Sequence, residues 1–308
     1  MSDRPAPAFD PKPGAALEIA RGLRRILAPN PSAMTFRGTN TYLLGHREIA
    51  VIDPGPDDPG HLDAILHALG PGARVTHILV THAHLDHSAL APRLAHETGA
   101  PVLAFGDALA GRSAVMQRLA DQGLTRGGEG VDLAFAPDRR LADGETVETG
   151  DWRLGAIWTP GHFGNHLCFA WDEAIFTGDL VMGWASSLVS PPDGDAGDFT
   201  ASCRKLAALG PNVLYPGHGA PVENPAERLD WLIAHRAARE AAILTALAVR
   251  PGTAAEIAAT IYTDTPAALL PAAARNVLAH LIDLAARGIV AHEGAVNAET
   301  VFRANEGE

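Results

Sequence analysis

Cysteine is nearly absent from this chain, with Cys168 and Cys203 the only two among 308 residues. Two thiols cannot build a disulfide framework and point instead to a reducing compartment; Cys168, inside Leu167-Cys168-Phe169-Ala170-Trp171, reads as a small buried hydrophobe. Lysine is almost missing too, represented by Lys12 and Lys205, and the 24 basic residues are outnumbered by 36 acidic ones for a net charge of −12. That balance excludes a broad phosphate-neutralising surface, although one local basic pocket stays open. No stretch approaches the roughly 18 consecutive apolar residues of a membrane span, so no membrane contact is expected. Residues Met1 to Gly14, rich in proline and aspartate, place no apolar core behind a basic start, and the expected location is cytoplasmic. Internal repeats and low-complexity segments are also lacking. What remains is a globular composition, 47% apolar and 19% charged, long enough for one large domain and a smaller one.

Histidine, by contrast, is concentrated. Three of the 14 histidines fall in Thr81-His82-Ala83-His84-Leu85-Asp86-His87, directly after the apolar run Ile78-Leu79-Val80. Imidazole nitrogen and carboxylate oxygen at this density suit a borderline-soft divalent metal, above all zinc. The plain alternative is a solvated histidine-rich loop, and the remainder of the chain argues against it. Thr159-Pro160-Gly161-His162 follows the strand-like run ending at Trp158. Thr177-Gly178-Asp179 follows Ala174-Ile175-Phe176, and Pro216-Gly217-His218-Gly219 follows Val213-Leu214-Tyr215. Each is a ligand-type residue just past a strand end in a glycine-containing turn, where sites of layered α/β folds gather. The residues divide into two groups: His82, His84 and His162 around one metal, and Asp86, His87 and His218 around the other. Asp179, with two carboxylate oxygens, is placed to bridge them. Two divalent metal ions, expected to be zinc, would share a bridging hydroxide and form a hydrolytic clamp.

Strand-like runs at Ile49–Ile52, Val75–Val80, Val102–Phe105, Leu154–Trp158, Leu167–Trp171, Ala174–Phe176 and Val213–Tyr215 alternate with helical patterns at Pro59–Leu69 and Ser88–Thr98. Asp143-Gly144 and Gly150-Asp151 read as hairpin turns. The texture changes near residue 222. Asn224-Pro225-Ala226-Glu227 has the form of a helix start, and Leu229, Leu232, Ile233, Ala237, Ile243, Leu244 and Leu247 recur at helical spacing, interrupted by Glu240. Thr253 to Glu256 forms a second capping box, a third helix is expected from near Pro271 to Gly288, and Ile289-Val290 with Val301-Phe302 forms a terminal hairpin. Helix, helix, helix and hairpin is the order of a winged-helix module. From Arg250 onward that module carries Arg250, Arg275, Arg287 and Arg303, no lysine, and more acids than bases. Packing, closure of the pocket or a homodimer contact fits this balance better than nucleic-acid binding.

The run Thr81–His87, with Thr159–His162, Phe176–Asp179 and Pro216–Gly219 at increasing distance, closely resembles the metallo-β-lactamase superfamily. The resemblance implies an α+β fold, an αββα sandwich over residues 1–222, followed by a small helical winged-helix-like domain over 223–308. It carries the family ligands onto His82, His84, Asp86, His87, His162, Asp179 and His218. Asp53, in Val51-Ile52-Asp53-Pro54-Gly55, matches an acidic position that orients a ligand, the alternative being a strand-end turn residue. His166 either contacts the metal shell or substrate or is a buried structural histidine. Zinc β-lactamases of the best-known class carry arginine where this chain has His87 and cysteine where it has Asp179. Acyl-homoserine lactonases place tyrosine at the position of Met182, and flavodiiron reductases replace an early histidine, whereas His84 is intact. Gly38-Thr39-Asn40-Thr41-Tyr42 and Glu223–Arg228 are similar to the lactamase-beta-like group related to glyoxalase II. The resemblance implies hydrolysis, and the acidic balance points to a small-molecule ester or thioester substrate, with Asp86 as the catalytic residue orienting the nucleophile. Single-stranded RNA cleavage is the alternative chemistry, because the group includes an endoribonuclease. A nucleic-acid-binding regulator with structural metals is the alternative class. Ser186–Asp195, rich in turn formers, is expected as a loop near the mouth of the site, either shaping specificity or merely on the surface.

Overall fold

A computed structural model of the chain describes residues 9–124 and 130–305. Residues 1–8, part of the stretch read for a leader, lie outside the described residues. The first sheet is seven-stranded and follows chain order: β1 (Leu17–Ala20), β2 (Leu23–Leu27), β3 (Asn40–Leu44), β4 (Glu48–Ile52), β5 (Arg74–Leu79), β6 (Val102–Ala104) and β7 (Arg139–Arg140). Its first four strands pair antiparallel and the rest parallel. Parallel pairing needs crossovers. These are α1 (Pro59–His67), the pair α2 (Leu85–Ser88) and α3 (Ala91–Thr98), and a longer excursion carrying α4 (Ala114–Asp121).

The second, five-stranded sheet comprises β8 (Thr146–Glu148), β9 (Arg153–Trp158), β10 (Leu167–Trp171), β11 (Ala174–Gly178) and β12 (Val213–Pro216), with β12 at one edge beside β11. Helix α5 (Ala196–Leu209) crosses over from β11 to the parallel β12. Both sheets are apolar on both faces, and alternation sorts the side chains. In β4, Ala50 and Ile52 face the second sheet while Ile49 and Val51 face the helices. In β10, Leu167 and Phe169 face inward while Cys168 lies against α5. A sheet buried on both faces must be sandwiched, and the result is the αββα layering. Cys168 is fully buried as expected, and burial pushes its thiol up to about 12.

Three local expectations need comment. The helix expected over Ser88–Thr98 is broken, because Ala89 and Leu90 separate α2 from α3; Pro92 stands at the start of α3, where its missing N–H is tolerated. Gly150-Asp151 does turn a hairpin between β8 and β9. Asp143-Gly144 does not: it lies between β7 and β8, which belong to different sheets, so it passes the chain from one layer to the other.

The remaining chain forms α6 (Pro225–Val249), α7 (Ala254–Ile261), α8 (Leu270–Ala286) and a three-stranded sheet of β13 (Gly252–Thr253), β14 (Val290–His292) and β15 (Val301–Ala304). This is the expected winged-helix order, with β13 a strand that the sequence did not announce. The Thr253–Glu256 capping box is formed. Asn224 takes the N-cap position of α6 without a side-chain cap bond; its ψ of 71° departs from the extended cap geometry. Glu240, which interrupts the apolar stripe, reaches Arg287 at 2.6 Å. Residues Ala267–Ala286 are long and apolar enough by length and composition to cross a membrane. Their apolar side chains, Val277, Leu278, Leu281, Ile282 and Leu284, are instead buried in the core of this module. That core is completed by Met116 and Leu119 of α4 together with Leu124.

His280 on α8 is 4% exposed. Burial, assisted by Arg236, His235, Arg287 and Arg239, pushes its pKa down to about 3. An unfolded histidine titrates near 6.5, so between about 6.5 and 3 the unfolded chain binds a proton that the folded chain refuses. Folded-state stability should therefore fall with pH in that window, by up to about 1.4 kcal/mol per pH unit from this residue. His280→Met should show a shallower loss of denaturation midpoint between pH 6.5 and 5 than the parent. Identical slopes would rule out this residue as a source of acid lability.

Candidate metal centre

All seven expected ligands converge where the strands of both sheets end. β5 leads into Thr81–His87, with His84 capping α2 and Asp86 in its first turn. The β9–β10 connection brings His162, Asp179 directly follows β11, and His218 lies two residues past β12. Two sets of donor atoms result, each set lying within 4.8 Å of itself: His82, His84, His162 and Asp179, and Asp86, His87 and His218. Asp179 faces both sets. Its Oδ1 lies 3.4 Å from His87 Nε2, and its Oδ2 lies 3.3 Å from His218 Nε2 and 3.7 Å from His162 Nε2. Asp86 Oδ2 lies 3.3 Å from both His87 Nε2 and His218 Nε2.

The imidazoles are oriented from behind. His87 Nδ1 meets Asp53 Oδ2 at 2.8 Å, His218 Nδ1 meets the Gly38 carbonyl at 3.1 Å, and His162 Nδ1 meets the Leu188 carbonyl at 2.7 Å. Each contact takes the Nδ1 proton, so Nε2 points into the site; without a cation the facing Asp179 and Asp86 outweigh burial and push His87 and His218 up, His218 to about 10, and a cation would have to displace that second proton to meet the lone pair. Asp53 is thus where the sequence put it. Its second anchor is Thr81, whose N–H and Oγ1 donate to the carboxylate at 2.7 and 2.8 Å. Asp53 adopts φ of 50°, a left-handed conformation that costs energy for a residue with a Cβ and is held by these bonds. His166 is fully buried behind His82, 5.2 Å between ring centroids, with Nδ1 against Thr159 Oγ1 at 3.0 Å; it belongs to neither donor set.

Burial drives His82 and His84 down, His84 to about 3, so both rings stay neutral with a lone pair available. Burial alone would raise the Asp86 and Asp179 carboxyls, but the facing His87 and His218 hold both well below the ordinary carboxylate range. The donor set fits divalent cations. His87 Nε2 and Asp179 Oδ1 are buried without a hydrogen-bond partner. His84 Nδ1 faces His82 Nε2 at 2.8 Å and His162 Nε2 at 3.2 Å. One shared proton cannot satisfy three converging ring nitrogens, whereas a cation between them can.

Thr39 and Asn40 brace the site in a way their place in the sequence does not announce. Thr39 Oγ1 donates to Asp86 Oδ2 at 3.0 Å. Asn40 Nδ2 donates to the Pro216 and Gly219 carbonyls at 3.0 and 2.9 Å, holding the turn that carries His218. Their signal was a run of polar residues opening a fully buried strand, where each needs a partner. The Ser186–Asp195 loop is not a surface loop: Ser187 and Val189 are fully buried.

Known proteins match this chain along most of its length. Residues 34–218 match the Metallo-beta-lactamase superfamily, and residues 253–298 match the Beta-lactamase associated winged helix domain. The chain is 32% identical over 288 residues to the Beta-lactamase-like protein 2 homolog of Drosophila melanogaster, covering 89% of this chain and 91% of that protein. It is 31% identical over 231 residues to an atrochrysone carboxyl ACP thioesterase of Aspergillus fumigatus, covering 72% of this chain and 64% of the fungal protein. Among solved structures, a metallo-beta-lactamase family protein from Thermus thermophilus superposes with a TM-score of 0.74 at 27% identity, over 94% of this chain and all of that one.

Gly217 tests the site. A Cβ there would lie 2.6 Å from Asp179 Oδ1 and 2.6 Å from His87 Cε1. The parent should take up about two divalent cations per chain. Gly217→Ala should bind them at least about ten-fold more weakly, at unchanged secondary structure by circular dichroism. Equal uptake by the two proteins in elemental analysis would refute the placement.

Proposed function

The chain belongs to the metallo-beta-lactamase superfamily and is a metal-dependent hydrolase, and on that premise we propose that it cleaves a small-molecule ester or thioester. His82, His84 and His162 hold one divalent cation, Asp86, His87 and His218 hold the other, and Asp179 is shared; the all-nitrogen-and-oxygen donor set favours zinc. When bound, such cations polarise the scissile carbonyl and lower the pKa of water toward about 7. The observation that carries the reading is the position of Asp179 between the two donor sets, with His87 and His218 of one set at 3.4 and 3.3 Å and His162 of the other at 3.7 Å.

Of the seven residues, His84 and Asp86 alone are only partly buried, and Leu85 between them is 46% exposed. Substrate therefore approaches over the start of α2, across an apolar side chain that suits an acyl group. Asp86, steadied by the Thr39 hydroxyl, is on the open side, where it accepts the proton of the attacking water and returns it to the leaving group. The thioesterase name of the fungal relative supports acyl over phosphoryl chemistry. So does the winged-helix module, whose arginines from residue 250 onward all have partners. Arg287 pairs with Glu240 and Asp283, Arg303 with Glu293, Arg250 with Glu256, and Arg275 with the Ser190–Pro191 backbone and hydroxyl. Little cationic surface remains for RNA or for a regulator that grips nucleic acid.

A turnover panel of thioesters, lactones, phosphodiesters and single-stranded RNA, each with a chelator control, tests the proposal. Chelator-sensitive thioester or ester cleavage is expected, and Asp86→Asn should lower kcat about 100-fold or more. Cleavage confined to phosphodiesters or RNA would overturn the substrate class; turnover surviving complete metal removal would overturn the metal centre.

A further inference from the structure

The segment from Leu180 to Asp195 has no regular structure before α5, yet much of it is buried. It touches the first donor set twice. Ser187 Oγ donates to the Asp179 carbonyl, and the Leu188 carbonyl accepts from His162 Nδ1 at 2.7 Å. What holds the segment comes from the other end of the chain. Arg236 on α6, 4% exposed, donates Nη2 to the Ser187 carbonyl and Nη1 to Asn276 Oδ1 at 3.0 Å, with its guanidinium 4.6 Å from the centroid of Phe199. Asn276 on α8 uses that same oxygen to accept from the Val189 N–H at 2.9 Å. Arg275 reaches Ser190 Oγ at 3.0 Å, and Arg228 reaches the Met182 and Ala185 carbonyls at 2.7 and 2.6 Å.

Among the described residues, the partners of Arg236 are a carbonyl oxygen, an amide oxygen and a ring face. A guanidinium stays charged, and taking it out of water is expensive. Its fork is spent on the residue that precedes Leu188, with Asn276 fixing the residue that follows. The second donor set is braced from elsewhere: Asp53 on His87, Gly38 on His218 and Thr39 on Asp86 all belong to the first sheet and its loops.

We infer that Arg236 and Asn276 are positioning residues for the cation held by His82, His84, His162 and Asp179. They clamp residues 187–189 so that the Leu188 carbonyl fixes the His162 ring and Ser187 steadies the Asp179 backbone. The winged-helix module is in this sense part of the metal centre: through Leu188 and His162 its influence falls first on one cation, and the other feels it only through the shared Asp179. The inference rests on the proposed ligand assignment.

The full chain, stripped by chelator and titrated with cobalt(II), provides the test, read by equilibrium metal content and by the visible absorption of bound cobalt. Asn276→Leu removes the accepting oxygen at similar volume, and Asn276→Asp restores it. The parent should bind about two cobalt ions. Asn276→Leu should keep one near parental affinity and bind the other about ten-fold more weakly, with an altered spectrum, while Asn276→Asp returns toward the parent. Arg236→Gln should weaken the same single ion and guards against a leucine variant that fails to fold. Parental titrations for both Asn276→Leu and Arg236→Gln, or equal weakening of both ions, would overturn the clamp alone. A parent that takes up no cobalt would overturn the ligand assignment and the clamp with it.

Discussion

Uncompensated polarity in a dry place is the constraint around which this protein is arranged. Five imidazoles and two carboxylates are gathered in two sets whose donor atoms lie within 4.8 Å of one another. Taken from water without partners, such groups would cost several kcal/mol each. Folding can tolerate them only if each ring and carboxylate is gripped on its far side and offered a cation on its near side. The far-side grips are what the structure displays: a carboxylate and two carbonyls on three Nδ1 atoms, and hydroxyls on Asp53 and Asp86.

The sandwich supplies these grips cheaply because strand ends from both sheets meet at one edge. A strand buried on both faces has little freedom of register, since slipping by one residue would exchange its two apolar faces. Residues just past such strands inherit that precision. Glycine at 217 then allows the turn to pass within contact distance of Asp179 and His87, which no residue bearing a Cβ could do. Rigidity of the layers and closeness of the turns are thus two halves of one solution.

Much of this was legible beforehand, and the reason is locality. The histidine-rich run, the three glycine turns after apolar strands and the Thr253–Glu256 capping box are each written within a few consecutive residues. Asp53 was legible through the family resemblance, since its place at a strand end fitted a plain turn residue equally well. What escaped was non-local or cooperative. The break between α2 and α3 falls inside a continuous helical pattern. The Asp143-Gly144 turn looks like any hairpin until the partners of β7 and β8 are known. Thr39 and Asn40 act on residues far along the chain, and Arg236 reads as one more polar residue on an amphipathic helix until the fold places a buried loop against it.

The core of the C-terminal module is not wholly its own. Met116 and Leu119 of α4, with Leu124, lie in the same cluster as Ile243, Val277 and Phe302. They come from the excursion between β6 and β7, made long before α6 begins. On a ribosome, that excursion must wait with its apolar face uncovered until the last helices emerge. Recombination faces the matching obstacle: a winged helix transplanted here from a relative would have to arrive with its own version of α4 or with a face that fits this one, although the two pieces lie far apart along the chain.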